Sequence, residues 1–293
     1  MKVAVLGSNG QLGSDVCAAF LRNGDEVCAL THSDVELTSA SSVEEALSAC
    51  IPEFIVNTAA MHHVEKCESD PIAAFAANAI GAKNVAEWAQ RAGATVAYIS
   101  TDYVFDGKKA APYLESDIAA PLNAYGITKL AGEHYTAALA EKHFVLRVSA
   151  IYGHQPCRAK GGLNFIELML KLSRERDKLR VVDDEFVTPT PTVQIADQLV
   201  VLSRSNNYGL YHGTAEGSCS WYEFASEIFR ATDTKICLEK AGPGEFPTKV
   251  PRPKYSVLEN SALKANQMNV FTHWRDGLEG YLNARAQLAV TAS

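Results

Sequence analysis

Through the first half of the chain, short apolar runs alternate with amphipathic stretches, and most runs end at glycine or a small polar residue. Val3 to Leu6 is continuous, apolar and half β-branched, the pattern of a strand buried on both faces. Gly7-Ser8-Asn9-Gly10-Gln11-Leu12-Gly13 follows, then an amphipathic stretch to about Asn23. Further strands are predicted at Glu26 to Leu30, Phe54 to Asn57, Thr95 to Ser100 and Phe144 to Ser149. Between them, Glu36-Leu37-Thr38 leads into a helix whose Ser41 and Glu44 fit a capping box. Phe75 to Arg91 reads as one long helix, with Asn78 and Asn84 as solvated polar positions and Gly81 as a close helix contact. Strands alternating with helices predict an α/β fold, a Rossmann-type doubly wound parallel sheet over residues 1–150.

After Gly153 the rhythm changes. Gly161-Gly162 marks a loop, Phe165 to Arg176 a helix and Arg180 to Val182 a strand. Thr188-Pro189-Thr190-Pro191-Thr192 reads as a loop broken by its prolines, before a helix from about Val193 to Ser203. Segments near 181–204 are expected to return to the first domain. Gly209 to Gly213, Trp221 to Ala231 and the stretch after Val250 are assigned to a smaller mixed α/β part. That part, residues 151–293, is expected to pack closely on the first and close a substrate pocket over the strand ends.

Composition narrows the class. A chain of 293 residues with 47% hydrophobic and 21% charged residues describes an ordinary globular protein with a sizeable core. A net charge of −7 gives no basic surface for nucleic acid and no stripe for an anionic membrane. Seven cysteines, at 17, 28, 50, 67, 157, 219 and 237, form no C-x-x-C pair and give no zinc site. With a start that lacks a signal-peptide layout and no run near the length of a membrane span, they predict a reducing, cytoplasmic setting. His62-His63 suggests a metal, but adjacent positions do not face one ion, so they read as loop residues near the substrate and no metal is expected.

A strand, a glycine turn and a helix make the context a phosphate-binding loop requires, although the spacing here is G-x-x-G-x-x-G rather than G-x-G-x-x-G. No carboxylate ends the second strand to hold a ribose 2′-hydroxyl, and no arginine stands there for a 2′-phosphate. NADPH and NADH are both admitted, with a lean to NADPH or dual use; His32 is a weak contact at that place. Tyr125 and Lys129 are four residues apart, on one face of a helix if Tyr125 opens it. A nearby ammonium would favour the phenolate, making the pair a proton donor or acceptor, and Thr101 at a strand's carboxyl end would hydrogen-bond a carbonyl beside it. On spacing alone, a buried tyrosine with a surface lysine is the better reading, since Tyr-x-x-x-Lys recurs by chance. The glycine turn tips the balance toward chemistry.

These pieces, in this order, resemble the extended short-chain dehydrogenase/reductase superfamily, and within it the dTDP-4-dehydrorhamnose reductase family. The resemblance rests on Gly7 to Gly13, Val56-Asn57-Thr58-Ala59-Ala60, Ser100 to Gly107, Pro121 to Glu133, Arg147-Val148-Ser149, Val181 to Asp184, Ser220 to Ala225 and Arg252 to Leu258. It implies hydride delivery from a nicotinamide to the C4 ketone of a nucleotide-linked 4-keto-6-deoxy sugar, most closely dTDP-4-dehydrorhamnose to dTDP-rhamnose. Tyr125 would protonate the alkoxide, Lys129 would bind the nicotinamide ribose and lower the phenol's pKa, and Thr101 would polarise the ketone. It also gives the cofactor contacts: Gly7, Asn9, Gly10, Gln11, Leu12, Gly13, His32, Glu36, Leu37, Ala59, Ala60 and Met61, with Tyr125 and Lys129. Asp102, Tyr103 and Ala150 would lie beside the sugar.

Related dehydratases carry glutamate where this chain has Tyr103, which disfavours dehydration. Three positions depart from the family pattern: Ala150 stands where tryptophan is frequent, Val187 before the Pro-Thr loop where glycine is common, and Glu65 where aspartate is usual. Some members pair through a magnesium ion held by acidic side chains, so a homodimer is an open expectation, with Asp15 near the matching place. Two other readings are weighed. One is a cofactor-binding regulatory subunit without turnover, as in the regulatory subunit of methionine adenosyltransferase, which has no need of Thr101, Tyr125 and Lys129 together. The other is a sugar-nucleotide epimerase that keeps its oxidised cofactor.

Overall fold

The computed structural model describes residues 1–156, 161–242, 244–246 and 249–291; Cys157 lies outside them. In chain order the first half runs β1 (Lys2–Leu6), α1 (Gln11–Arg22), β2 (Glu26–Leu30), α2 (Ala40–Cys50), β3 (Phe54–Asn57), α3 (Val64–Ser69), α4 (Pro71–Phe75), α5 (Gly81–Ala92), β4 (Thr95–Thr101), α6 (Ala124–Leu139) and β5 (His143–Val148). The second half holds β6 (Ile151–Tyr152), α7 (Phe165–Glu175), β7 (Lys178–Val181), β8 (Phe186–Val187), β9 (Thr190–Pro191), α8 (Thr192–Ser203), β10 (Gly209–His212), β11 (Cys219–Ser220), α9 (Trp221–Ala231), β12 (Cys237–Lys240), α10 (Ser261–Ala265) and α11 (Trp274–Thr291).

Six strands form one sheet in the order β10-β5-β4-β3-β1-β2, all pairs parallel. Helices α1 and α8 bury Val16, Phe20, Ile195 and Leu199 on one face, against Val3, Phe54 and Phe144. On the other face α2 and α5 bury Val43, Leu47, Val85 and Trp88 against Ala4, Leu6 and Ile55. This is the doubly wound sheet the alternation predicts. Winding reverses at β1, whose neighbours are β2 on one side and β3 on the other, and the ends of open α/β strands at such a reversal form a ligand crevice. The Thr58 hydroxyl closes that point by donating to the Leu6 carbonyl at 2.7 Å.

Several expectations are corrected. Gly209 to His212 is not part of the smaller half; it pairs in parallel with Phe144 to Arg147 as the sixth strand. The Ser41–Glu44 capping box does not form, because Ser39 caps α2 by accepting from the Ser42 amide, and Glu44 bonds Arg91 and Ser48. The long helix from Phe75 is split by a π turn at Ala76–Ile80. Asn78 and Asn84 are buried rather than solvated, since each side chain satisfies backbone groups of a neighbouring segment. Gly81 is the close contact expected, with a Cβ there only 3.0 Å from Leu37. The proline loop carries a two-residue strand, Thr190–Pro191, paired with Ile151–Tyr152. A separate cluster around Phe224, Ile228, Trp274 and Tyr281 forms the core of the second half.

Candidate active site

The glycine turn after β1 is built for close approach. A Cβ on Gly13 would sit 2.2 Å from the Gly7 carbonyl oxygen, and one on Gly7, at φ +80, would sit 2.9 Å from Thr58 Oγ1. The chain's own packing demands those two glycines. Gly10 differs, because its Cβ would meet nothing nearer than the Gly7 oxygen at 3.3 Å, so its outward side is open to a ligand. Helix α1 starts there without a side-chain cap or an acidic residue in its first turn, leaving its N–H groups available to an anion. These residues fit the pyrophosphate of a dinucleotide.

Gly7, Gly10, Gln11, Leu12 and Gly13 line a cavity of about 620 Å³, within the range of small-molecule sites. Thr101, Tyr125 and Lys129 line the same cavity, as do Thr58, Ala60, Asp102, Tyr103 and Ala150. The chain reaches this geometry through two local devices. Asn123 caps α6 by accepting from the Gly126 amide at 2.9 Å, so Tyr125 stands in the first turn and Lys129 one turn on. Gly126 and Gly132 then let α6 press in, since a Cβ at either would lie 2.2 Å from the Tyr103 carbonyl oxygen or 2.3 Å from the Tyr98 hydroxyl.

Thr101 ends β4, its hydroxyl donating to Asp102 at 3.1 Å and accepting from the Tyr103 amide at 3.2 Å. Asp102 is buried and also accepts from the Ser149 hydroxyl at 2.9 Å. Loss of hydration raises its carboxyl above the usual range, against the pull of those hydroxyls. Tyr125 packs edge-on to Tyr103 with centroids 5.8 Å apart. Burial pushes the Tyr125 phenol up, the Thr101 hydroxyl opposes this, and Asp102 adds to the rise. Against the expectation that Lys129 lowers this phenol, its value is raised on balance because burial dominates. Lys129 donates to the Ile99 carbonyl at 2.6 Å, with its nitrogen 4.0 Å from the Tyr98 ring centre. Burial draws that ammonium down to about 7, with Glu133 opposing.

Other predicted contacts do not reach the cavity wall. Asn9 is exposed beside the turn. His32 pairs loosely with Glu36 at 3.7 Å on the surface, and Glu36 is bound to the Thr38 amide and hydroxyl. Leu37 is spent in the core and lends its carbonyl to Asn84 at 2.8 Å. Ala59 and Met61 lie in the segment after β3 without lining the cavity; the Asn78 side chain pins both the amide and the carbonyl of Met61. His62 and His63 do line it, and among the described residues no group of three or more potential ligands is placed to hold a metal. Asp15 instead accepts from the Thr192 hydroxyl.

Sequence reasoning missed the far wall. Phe165, Glu185, Trp221 and Arg252 all line the cavity there. Arg252 pairs with Glu65 and leaves its buried Nε without a protein partner, while burial raises the Glu185 carboxyl. Trp221 and Arg252 fall in stretches that carry the resemblance, but single residues so far from the glycine turn have no spacing to announce them.

The family model described as the RmlD substrate binding domain matches residues 1–287. The chain belongs to the dTDP-4-dehydrorhamnose reductase family. It is 38% identical over 285 residues to the spore coat polysaccharide biosynthesis protein SpsK of Bacillus subtilis (strain 168), covering 97% of this chain and 98% of that one. A crystal structure of a dTDP-4-dehydrorhamnose reductase from Clostridium acetobutylicum ATCC 824 superposes with a TM-score of 0.93 at 37% identity, covering 98% of this chain and all of that one. The dTDP-4-dehydrorhamnose reductase of Bacillus anthracis str. Ames, solved in complex with NADP, gives 0.92 at 34% identity over 97% of this chain and 100% of that one. This is a family of oxidoreductases on a Rossmann-like fold.

Proposed function

We propose that this protein reduces the C4 ketone of a nucleotide-linked 4-keto-6-deoxy sugar with NADPH or NADH, and that its substrate is dTDP-4-dehydrorhamnose, giving dTDP-rhamnose. The observation that carries the reading is the meeting of Thr101, Tyr125 and Lys129 with the glycine turn around one cavity. The NADP complex of the Bacillus anthracis relative supports the cofactor, and the names of the relatives support reduction of a sugar nucleotide.

The dihydronicotinamide, when bound, supplies the hydride. Gly7 to Gly13 and the start of α1 would hold its pyrophosphate, and Thr58 and Ala60, which line the cavity, would border its nicotinamide half. With substrate bound, Thr101 would turn its hydroxyl from Asp102 to the ketone oxygen, donating a hydrogen bond that strengthens as charge develops there. Tyr125, kept protonated at neutral pH by its raised pKa, gives its phenolic proton to the alkoxide. Lys129 would hold the cofactor ribose and supply positive charge under the site. Asp102, Tyr103 and Ala150 border the sugar, and the second half, residues 151–293 apart from α8 and β10, contributes the nucleotide wall through Phe165, Trp221 and Arg252. Tyr103 offers no carboxyl for removal of water, so the reading stops at keto reduction.

The test is a screen of NADPH and NADH oxidation against nucleotide-linked 4-keto-6-deoxy sugars, with product stereochemistry at C4 determined by NMR. Turnover with dTDP-4-dehydrorhamnose supports the specific reading. Turnover only with another such sugar retains the reaction and replaces the substrate.

A further inference from the structure

Directly behind the cavity lies a buried charge network that the reaction as described does not use. Glu133 follows Lys129 by one turn on α6, the spacing that places two side chains on one face. Its carboxylate accepts from Arg147 Nε at 2.9 Å and Nη2 at 2.7 Å, and from the Ser100 hydroxyl. Ser100 and Arg147 are register partners on β4 and β5, and Ser100 immediately precedes Thr101. All three are nearly sealed from solvent, with 2%, 6% and 4% exposure for Ser100, Glu133 and Arg147.

A buried ion pair contributes little net stability compared with well-packed apolar side chains, and Arg147 Nη1 is left without a partner. Stability alone is thus a poor account of the network. Its placement is more telling: one carboxylate bonds the residue before Thr101 and stands one turn from Lys129. The other groups facing Lys129 are the Cys67 thiol from α3 and the Tyr98 ring from β4. Asp102 and Tyr103 face Tyr125. Glu133 is the main one of these that opposes the loss of the ammonium's charge.

We propose that Glu133, clamped by Arg147 and Ser100, is a positioning residue of this site: it keeps Lys129 in its ammonium form and fixes the end of β4 that carries Thr101. The inference rests on the role proposed for Lys129. Burial draws the amine toward neutrality; Glu133 opposes that pull and so sustains the charge on which cofactor binding depends.

The experiment compares pH profiles of kcat/KM for Glu133→Gln, for the apolar pair Glu133→Leu/Arg147→Met, and for Lys129→Met, with folding followed by circular dichroism. The double variant replaces the ion pair by side chains of comparable bulk, so it is expected to fold and to hold its Tm within a few degrees of the parent. The alkaline limb of its profile is expected at least one pH unit lower, a loss of about tenfold on that limb. Ser100→Ala is expected to lower kcat without moving the limb. A folded double variant with an unmoved limb, alongside an inactive Lys129→Met, overturns the role of Glu133 and leaves the reaction standing. A fully active Lys129→Met overturns the reading beneath it. If neither Glu133 variant folds, 15N NMR of the lysine amines decides in the parent protein: a neutral Lys129 at pH 6 contradicts the proposal, and a charged one supports it.

Discussion

Tyr125 and Lys129 stand one turn apart on α6 yet turn to different partners. The phenol lies among Thr101, Asp102 and Tyr103, while the ammonium donates to the Ile99 carbonyl at 2.6 Å. On the proposed reading the two side chains do separate work, one at the reacting oxygen and one beneath it.

Tyr125→Phe removes the proton donor and keeps the ring. Turnover is expected to fall by about two orders of magnitude or more, the size of a lost general acid, with cofactor affinity nearly unchanged. Steady-state rates beside a fluorescence titration of NADPH check this; a parental rate would remove Tyr125 from the mechanism.

Lys129 links the site to stability. Its native pKa, about 7, lies below the roughly 10.4 of the unfolded chain. Between those values the unfolded chain binds the extra proton, so the penalty this residue imposes is fully present below about pH 7 and fades as pH rises toward the unfolded value. Lys129→Met is then expected to be more favourable at pH 7 than at pH 9.5, by up to about 3 kcal/mol at 1.36 kcal/mol per unit. Urea titrations of both proteins at the two pH values measure it, and an equal effect at both would contradict it.

Two glycines separate binding from folding. Gly10→Trp fills the open side of the turn and is expected to weaken NADPH binding at least tenfold with little change in Tm. Gly132→Ala forces a Cβ to within 2.3 Å of the Tyr98 hydroxyl, in the interior, and is expected to cost about 1–3 kcal/mol. Titration calorimetry and thermal melts distinguish the two. Equal cofactor affinity in Gly10→Trp would count against the phosphate loop.

What is legible in the sequence is local. The five predicted strands of the first half and the turn after β1 announce themselves through apolar runs and glycine spacing, and Tyr125 with Lys129 through helical spacing. What is hidden depends on distant partners. Gly209–His212 joins the large sheet because Phe144 to Arg147 offers an edge, which four residues cannot signal. Asn78 and Asn84 look solvated on polarity alone, but are buried because Met61 and Leu37 present backbone groups to them. The Lys129–Tyr125 spacing suggests that one tunes the other; burial of both decides instead.

The most direct test of the central claim follows one hydrogen. NADPH deuterated at the transferring C4 position is mixed with the protein and dTDP-4-dehydrorhamnose, and the sugar is read by NMR. Deuterium at C4 of the product, absent with Tyr125→Phe over the same interval, is the predicted result. A sugar returned without deuterium, under any of the nucleotide-linked 4-keto-6-deoxy substrates, would contradict it.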